Sequence, residues 1–225
     1  MRFELALRHD VGDRTAAFRE GLRRCGYAEG EGDLFVTWNR FGINGIRADA
    51  VEFQGGSVLV VENALWGNGF LGKSWLSISR RFHGTWQPWG GPERWDRLGV
   101  ELPPMRTSGE TVILGQRGIG NPKFKMPQGW AQDALRRYGG RIRHHPGRRE
   151  EIPLEDDLAN CGRVITWSSG AAIKALLMGI PVISEMPGWV GEQDNTELGR
   201  LEMFRRLAWS HWTLEEIRQG VPFHR

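Results

Sequence analysis

Ser168, Ser169 and Gly170 form the segment of this chain with the clearest chemical potential. They stand between a β-prone run at 164–167 and an apolar run at 171–178 that has helical spacing. Serine is a preferred N-cap residue, and the first turn of a helix presents unpaired N–H groups at the positive end of its dipole. A helix that starts directly after a strand in this way can bind phosphate. The pattern therefore predicts a phosphate site, with ordinary N-capping by serine as an equally good alternative.

Two further segments in the same half carry groups that suit an anion. The glycine-rich stretch 115–120 follows the apolar run 111–114, and a run at 141–144 ends in a His-Pro pair. Ligands of open α/β sheets bind at the carboxyl ends of the strands. The alternatives are a solvated arginine in the first segment and a structural turn in the second. The residues predicted to contact phosphate here are Gly115, Gln116, Arg117, Arg143 and His145.

Other potential metal ligands are scattered along the chain. His144 and His145 are adjacent, so their side chains point in different directions, and no cysteine or third histidine lies near them in the sequence. Asp156 and Asp157 lie on a short acidic stretch that is typical of a solvated helix face. We therefore expect no metal site and no resident cofactor.

The segment 64–92 is rich in tryptophan, glycine and arginine and interrupts the regular pattern of the chain. A loop of this length inside a domain is usually functional or a lid. Aromatic rings between basic side chains can stack on bases or sugars, although tryptophans also fill protein cores. The residues predicted to bind an acceptor are Asn63, Trp66, Arg80, Arg81, His83 and Trp86.

The composition is that of a globular protein. The chain has 225 residues, of which 40% are hydrophobic and 25% charged, with a net charge of +3 and a pI of about 9.2. No apolar run approaches the roughly 20 residues of a membrane span, and charged residues interrupt any signal-peptide core at the N-terminus. Cys25 and Cys161 form no paired motif. The expected compartment is therefore the cytoplasm, with no membrane partner.

Strand-like and helix-like runs alternate in both halves, which predicts βαβ units and parallel sheets. The predicted strands are 3–7, 33–38, 57–61, 111–114, 141–144, 164–167 and 181–183. The predicted helices are 13–24, about 43–53, 93–98, 129–138, 154–159 and 171–178. A Pro-rich stretch at 103–109 predicts a linker between a domain at 1–104 and a domain at 105–225, and the tail 197–219 has helical periodicity.

The second half resembles a known family. Arg-Ile-Arg-His-His-Pro at 141–146, followed by Thr-Trp-Ser-Ser-Gly-Ala-Ala-Ile-Lys-Ala-Leu-Leu-x-Gly-Ile-Pro-Val-Ile from residue 166 on, is similar to the donor-binding half of GT-B glycosyltransferases. It is most similar to bacterial capsule-polysaccharide transferases and small phage-type glycosyltransferases. The resemblance covers roughly 111–185 and extends to the tail at 212–217, while over 1–104 it is only architectural.

This resemblance implies an α/β protein of two Rossmann-like domains that face a cleft and bind a nucleotide sugar, with C-terminal helices closing the structure. It implies that Ser168, Ser169, Gly170 and His145 contact donor phosphates and that the transferase needs no catalytic metal. It places Glu185 near a ribose or sugar hydroxyl, with a solvated loop carboxylate as the alternative. UDP is the expected nucleotide, and an inverting reaction is expected.

In such enzymes the first domain supplies the acceptor site and a general base, which takes a proton from the attacking hydroxyl. Glu62, after the apolar strand at 57–61, is the first candidate, and Asp10, after the first strand, is the second. The favoured acceptor is phage-type DNA with hydroxymethylated bases, because basic and aromatic residues suit an anionic, stackable partner. The chain would then act in the cytoplasm of a bacterial host. The alternatives are a surface polysaccharide acceptor and a non-catalytic nucleic-acid-binding protein; the oligomeric state is left open.

Overall fold

The computed structural model describes residues 1–7, 13–85, 90–145, 147 and 152–224. The chain forms two compact units. Unit 1 comprises Met1–Pro88 and Ala208–Arg225, and unit 2 comprises Trp89–Leu207. Both units are α/β, in agreement with the alternating pattern of the sequence. Asp10 and Trp86, two of the predicted site residues, lie outside the described residues.

The first part of unit 1 alternates strands and helices. Its elements are β1 (Arg2–Ala6), α1 (Asp13–Arg24), β2 (Ala28–Glu29), β3 (Leu34–Trp38), α2 (Ile43–Phe53), β4 (Ser57–Asn63) and β5 (Trp75–Arg80). All five residues of β3 are buried, because the sheet is covered on both faces at this strand. One core contains Phe3, Phe18 and Val36, and a separate core contains Phe35, Val51 and Val60.

Unit 2 repeats the alternation. Its elements are α3 (Glu93–Asp96), β6 (Glu110–Leu114), α4 (Trp130–Tyr138), β7 (Arg141–Arg143), α5 (Leu154–Asp157), β8 (Cys161–Thr166), α6 (Ala171–Leu177), β9 (Val182–Ser184) and α7 (Glu197–Leu207). The four strands are all parallel in the order β7-β6-β8-β9. The core beneath α4 includes Ile113, Trp130, Ala134 and Ile165.

The tail of the chain returns to unit 1, contrary to its predicted place in the second domain. After α7, the chain forms β10 (His211–Thr213) and α8 (Leu214–Arg218), so the helical periodicity of 197–219 is broken by a strand. Trp212 and Ile217 join the core of unit 1 that contains Phe3. The sheet of unit 1 therefore has the order β10-β5-β4-β3-β1-β2, in which β5 is antiparallel to both β4 and β10.

The domain boundary predicted at 104/105 lies inside unit 2. The Arg106 N–H donates to the carbonyl oxygen of Gly179 (2.7 Å). Its guanidinium donates to three further carbonyl oxygens, those of Leu158, Ala159 and Cys161, each at 2.9 Å. These bonds fix the Pro-rich stretch to unit 2, so it is a strap across that unit and not a linker.

The segment 64–92, predicted as one long loop, contains the strand β5. Ser77 and Ser79 are 1% and 3% exposed, and they alternate with buried apolar residues along the strand. Serine is uncommon in buried strands, which hides β5 in the sequence; pairing with strands on both sides supplies its backbone hydrogen bonds. None of the described helices has the length and apolar character needed to cross a bilayer.

Candidate functional site

The four-stranded sheet of unit 2 has a topological switch point between β6 and β8. From β6 the chain moves outward to β7, and it then returns to the other side of β6 to form β8. Ligands of open α/β sheets bind in the crevice outside the carboxyl ends of the two strands that flank such a point. Here those strands lead into Gly115–Arg117 and Trp167–Gly170, two segments that sequence analysis singled out independently.

Gln116 connects the two sides of this crevice. Its side-chain oxygen accepts the Ser168 N–H (2.9 Å), and its side-chain amide donates to the Ser168 hydroxyl (3.3 Å). The Gln116 backbone N–H donates to the thioether of Met126 (3.4 Å), and the Gly115 N–H donates to the Arg143 carbonyl oxygen (2.8 Å). Both walls of the crevice are therefore held in place by bonds within unit 2.

The turn before α6 has fewer free N–H groups than its sequence suggests. Besides the Ser168 amide, the Ser169 amide donates to the Thr166 hydroxyl (2.9 Å), and the Ala171 amide donates to the Ser169 hydroxyl (3.2 Å). Of the amides from Ser168 to Ala171, only that of Gly170 has no acceptor among the described residues. The turn is therefore not an open helix N-terminus, because internal side-chain oxygens accept three of its four amides.

Three exposed cations lie on the loop that follows β6. Lys123 and Lys125 flank Phe124, whose carbonyl oxygen accepts the indole N–H of Trp167 (2.9 Å), directly before Ser168. Arg117 follows Gln116 in the same loop. No acidic side chain of the part described pairs with any of the three. Neither lysine is among the site residues predicted from the sequence, although their position a few residues after the glycine-rich stretch is a signal that could have identified them.

Arg143 is engaged by an internal carboxylate. Its guanidinium pairs with Asp157, and each of these side chains is 13% exposed; it also donates to the Ile152 carbonyl oxygen (3.0 Å). Arg141 pairs with the same carboxylate (3.0 Å). Burial alone would raise the pKa of Asp157, but the two arginines outweigh it and lower that pKa below its ordinary value. Asp157 is therefore a structural ion-pair residue, which corrects its interpretation as part of a solvated face.

Glu185 is likewise bound within unit 2. Its carboxylate accepts the indole N–H of Trp130 (2.7 Å) and pairs with Arg137 (2.7 Å). Burial acts to raise the pKa of Glu185, but hydrogen bonds from Arg137, Trp130 and Tyr138 lower it overall. These contacts join α4 to the end of β9, so neither a free sugar-binding carboxylate nor a solvated one describes this residue as it stands.

His145 is exposed at the carboxyl end of β7. Its Nδ1 accepts the N–H of Gly147 (2.9 Å), which is the local turn contact expected from the structural alternative. His145 follows β7 at the same edge of the sheet as the crevice, because β7 is parallel to β6.

Glu62 lies near the carboxyl end of β4 in unit 1, partly buried, and accepts the N–H of Asn63 (3.3 Å). Asn63 accepts the side-chain N–H of Asn68 (2.9 Å), which fixes the turn after the strand. The parallel strands of unit 1 have the order β2-β1-β3-β4, so their switch point lies between β1 and β3. Glu62 is one strand away from that point.

The predicted acceptor residues that the structure describes differ in their exposure. Trp66 is 3% exposed and packs against Phe70, Trp75 and His211, so its ring is part of the core and offers no face to an acceptor. Arg80 and Arg81 are exposed at the end of β5. Burial lowers the pKa of His83 to about 4, which keeps its imidazole neutral at physiological pH.

Comparison with known proteins identifies the fold. No family model and no curated protein matches the chain. Two solved structures of KpsC from Thermosulfurimonas dismutans match it over nearly its full length. The first, described as a beta Kdo 2,7 transferase, has 12% identity and a TM-score of 0.55 over 100% of both chains. The second, described as a beta Kdo 2,4 transferase, has 13% identity and a TM-score of 0.57 over 96% of this chain and 97% of that chain.

The chain shares its fold with these two transferases. The likeness extends over both units, including the part of the chain where sequence resemblance was only architectural. Within the described residues, no three histidine, cysteine, aspartate or glutamate side chains come together as metal ligands. The side chains and amides on the segments that flank the crevice are hydroxyls, amides and cations, which are donors suited to an anion.

Proposed function

We propose that this protein is a glycosyltransferase that moves a sugar from a nucleotide-sugar donor to a hydroxyl acceptor. The observation that carries the proposal is the crevice between β6 and β8, where Gln116 meets Ser168 and where Arg117, Lys123 and Lys125 lack acidic partners in the described structure. The fold shared with two proteins that are described as transferases supports the same reading.

The proposed chemistry assigns the leaving group to this crevice. When the bond between the anomeric carbon and the donor phosphate breaks, negative charge grows on the phosphate oxygen. The hydroxyls of Ser168 and Ser169 and the Gly170 amide donate to that oxygen, and the lysines neutralise its charge. The acceptor hydroxyl must also lose a proton as it attacks, and Glu62 and Asp10 are the candidate bases that the sequence offers for that step.

A saccharide is the acceptor that we favour, and Kdo is the first candidate sugar. Both proteins with this fold are described as Kdo transferases, and a sugar with a carboxylate suits the basic loop after β6. The DNA acceptor expected from the sequence has less support, because the ring of Trp66 is not available to stack on a base.

Thermal unfolding with and without nucleotides tests donor binding. A ligand at about 100 times its Kd stabilises the folded state by about 2.7 kcal/mol, which corresponds to a Tm increase of about 5 °C or more at this chain length. We expect such an increase with UDP, a UDP-sugar or activated Kdo. The Gln116→Ala variant should lose most of it, whereas Gln132→Ala, an exposed glutamine on α4, should retain it. If no nucleotide or nucleotide sugar raises the Tm, the proposal is wrong.

A transfer assay read by mass spectrometry tests the acceptor and the base. The purified protein is incubated with each donor and with either a saccharide or hydroxymethylated DNA. We expect the added sugar mass on the saccharide; addition to the DNA alone would restore the expectation drawn from the sequence. Replacing the base, by Glu62→Gln or Asp10→Asn, should abolish transfer and preserve the Tm increase with donor. Full transfer by both variants would exclude both carboxylates.

A further inference from the structure

The outer face of α2 carries a row of apolar side chains, of which all but the half-buried Ala50 are exposed. Phe41, two residues before the helix begins, is 60% exposed, and on the helix Ile43, Ile46 and Phe53 are 76%, 68% and 94% exposed. Together with Ala50, the helix positions follow the spacing i, i+3, i+7, i+10, which places them on one face. We call these five residues the α2 stripe.

The α2 stripe is not needed to attach the helix to unit 1. The opposite face of α2 supplies the buried residues Ala48 and Val51, which pack with Phe35, Val58 and Val60 of the sheet. α2 is therefore apolar on two faces, and the described residues of the chain cover only one of them. A single exposed apolar residue is ordinary, whereas a contiguous patch marks a contact surface.

The exposed area matches one half of a protein–protein interface. A phenylalanine side chain presents about 200 Å², so the exposed fractions of the two phenylalanines and two isoleucines sum to about 550 Å² of apolar surface. A standard interface buries about 800 Å² on each partner, with an apolar centre and a polar rim. The α2 stripe thus supplies about the centre of such an interface.

The charges around the α2 stripe are balanced within the chain. Arg40 pairs with both Asp49 and Glu52, and Arg47 pairs with Glu4 and Glu31. A helix that lies on a membrane surface carries an excess of lysine and arginine on its polar face, and α2 has no such excess. A rim in which each arginine already has acidic partners can approach a copy of itself without repulsion between like charges.

We propose that the α2 stripe is the interface of a homodimer, in which α2 of one protomer packs against α2 of its partner across a two-fold axis. In such an interface the same patch is used on both sides, so a single apolar row is sufficient. The proposal goes beyond glycosyl transfer, and it stands whether or not the proposed function is correct.

Sedimentation equilibrium of the full chain tests this dimer. We expect a dimer for the unaltered protein, and Ile46→Asp should raise the dimer dissociation constant by about 100-fold because it places a charge in the desolvated centre. The control is Leu198→Asp on α7, where an apolar residue that is 67% exposed lies outside the stripe; it should leave the constant unchanged. Circular dichroism and the Tm show whether each variant is folded. If Ile46→Asp does not fold, the milder Ile46→Ser replaces it in the sedimentation experiment. A monomeric unaltered protein, or a dimer insensitive to these changes, overturns the proposal.

A disulfide test distinguishes the proposed occupant from others. In a Cys25→Ser background, which leaves only the buried Cys161, Ile46→Cys should form a covalent dimer on mild oxidation and Leu198→Cys should not. Co-sedimentation with vesicles of phosphatidylcholine and phosphatidylglycerol tests the alternative that the stripe binds a membrane surface. Vesicle binding that Ile46→Asp abolishes, with no covalent dimer from Ile46→Cys, would assign the stripe to a membrane surface and overturn the dimer.

Discussion

Individual charged residues at the edge of the unit 2 sheet have partners that the sequence did not reveal. Arg143 and Glu185 follow or end strands at the expected edge, yet the first pairs with Asp157 of α5 and the second with Arg137 of α4. Sequence spacing shows which residues reach an edge, because the carboxyl ends of parallel strands coincide there. It does not show which opposite charge another element brings to the same point. Lys123 and Lys125 show the converse, because neither has an acidic partner within the described part of the chain.

Replacing Glu185 by glutamine should destabilise the protein without weakening donor binding. Loss of the charged hydrogen bonds should lower the free energy of unfolding by about 1–2 kcal/mol at pH 7. Because the folded-state pKa of Glu185 is lowered, this contribution is present above the unfolded pKa of about 4.3 and is lost as pH falls further. Urea denaturation of both proteins at pH 7 and near pH 3 should show the difference shrinking. A reduced nucleotide-induced Tm increase in Glu185→Gln would instead indicate a ligand contact.

Removing the two lysines beside the crevice should weaken donor binding without destabilising the protein. The double variant with Lys123→Ala and Lys125→Ala should keep its Tm, since neither side chain has an acidic partner in the described structure. Its affinity for a nucleotide should fall by about tenfold or more, because charge-assisted contacts to phosphate are lost. Isothermal titration at low salt measures this, with Lys73→Ala in unit 1 as the control. Unchanged affinity would remove the lysines from the site.

At the scale of elements, segments with a strong apolar pattern were predicted well, whereas the strands β5 and β10 were not predicted. The apolar run in β3 and the helical spacing in α2 gave bounds that agree with the structure to within a residue. β5 was missed because two buried serines interrupt its apolar character. β10 was missed because its pairing partner lies more than a hundred residues earlier in the chain, and such long-range pairing leaves no local signal.

The short helix α8 depends on its first residue. The Thr213 hydroxyl accepts the N–H of Glu216 (3.2 Å), and the Glu216 carboxylate accepts the N–H of Thr213 (2.8 Å), which together form a capping box. Thr213→Ala should lower the free energy of unfolding of unit 1 by about 1 kcal/mol, whereas Thr213→Ser should retain most of it. Guanidinium denaturation of the two variants provides the comparison. Equal loss from both variants would show that packing of the threonine methyl group, and not the cap, is responsible.

At the scale of the whole molecule, the chain builds two α/β units with the same core strand order. β2-β1-β3-β4 in unit 1 corresponds to β7-β6-β8-β9 in unit 2, although the sequence shows no internal repeat. The chain then returns to complete unit 1 with its last residues. The domain boundary that the prolines predicted at 104/105 differs from the boundaries of the two units. The prolines lie in the strap across unit 2, and the final segment of the chain belongs to unit 1, which also contains the first residues.

Truncation after Leu207 should therefore damage unit 1 and spare unit 2. The removed segment contributes Trp209, Trp212, Ile217 and Phe223 to the core of unit 1. Loss of several buried apolar side chains from one core exceeds the usual stability of a domain. Limited proteolysis followed by mass spectrometry should find cleavage sites within 13–85 and protection of 90–145. Equal protection of both units would contradict the assignment of the tail.

The most direct test of the proposed donor site is a titration of the ¹⁵N-labelled protein with UDP, a UDP-sugar and activated Kdo, followed by amide chemical shifts. We predict that the ligand which raises the Tm shifts the amides of Gly115–Arg117 and Trp167–Gly170 first and most. The side-chain amide of Gln116 should shift with them, while amides on α1 stay in place. Saturable shifts confined to other surfaces, or no shifts with any of these ligands, would contradict the claim that the crevice between β6 and β8 binds the donor.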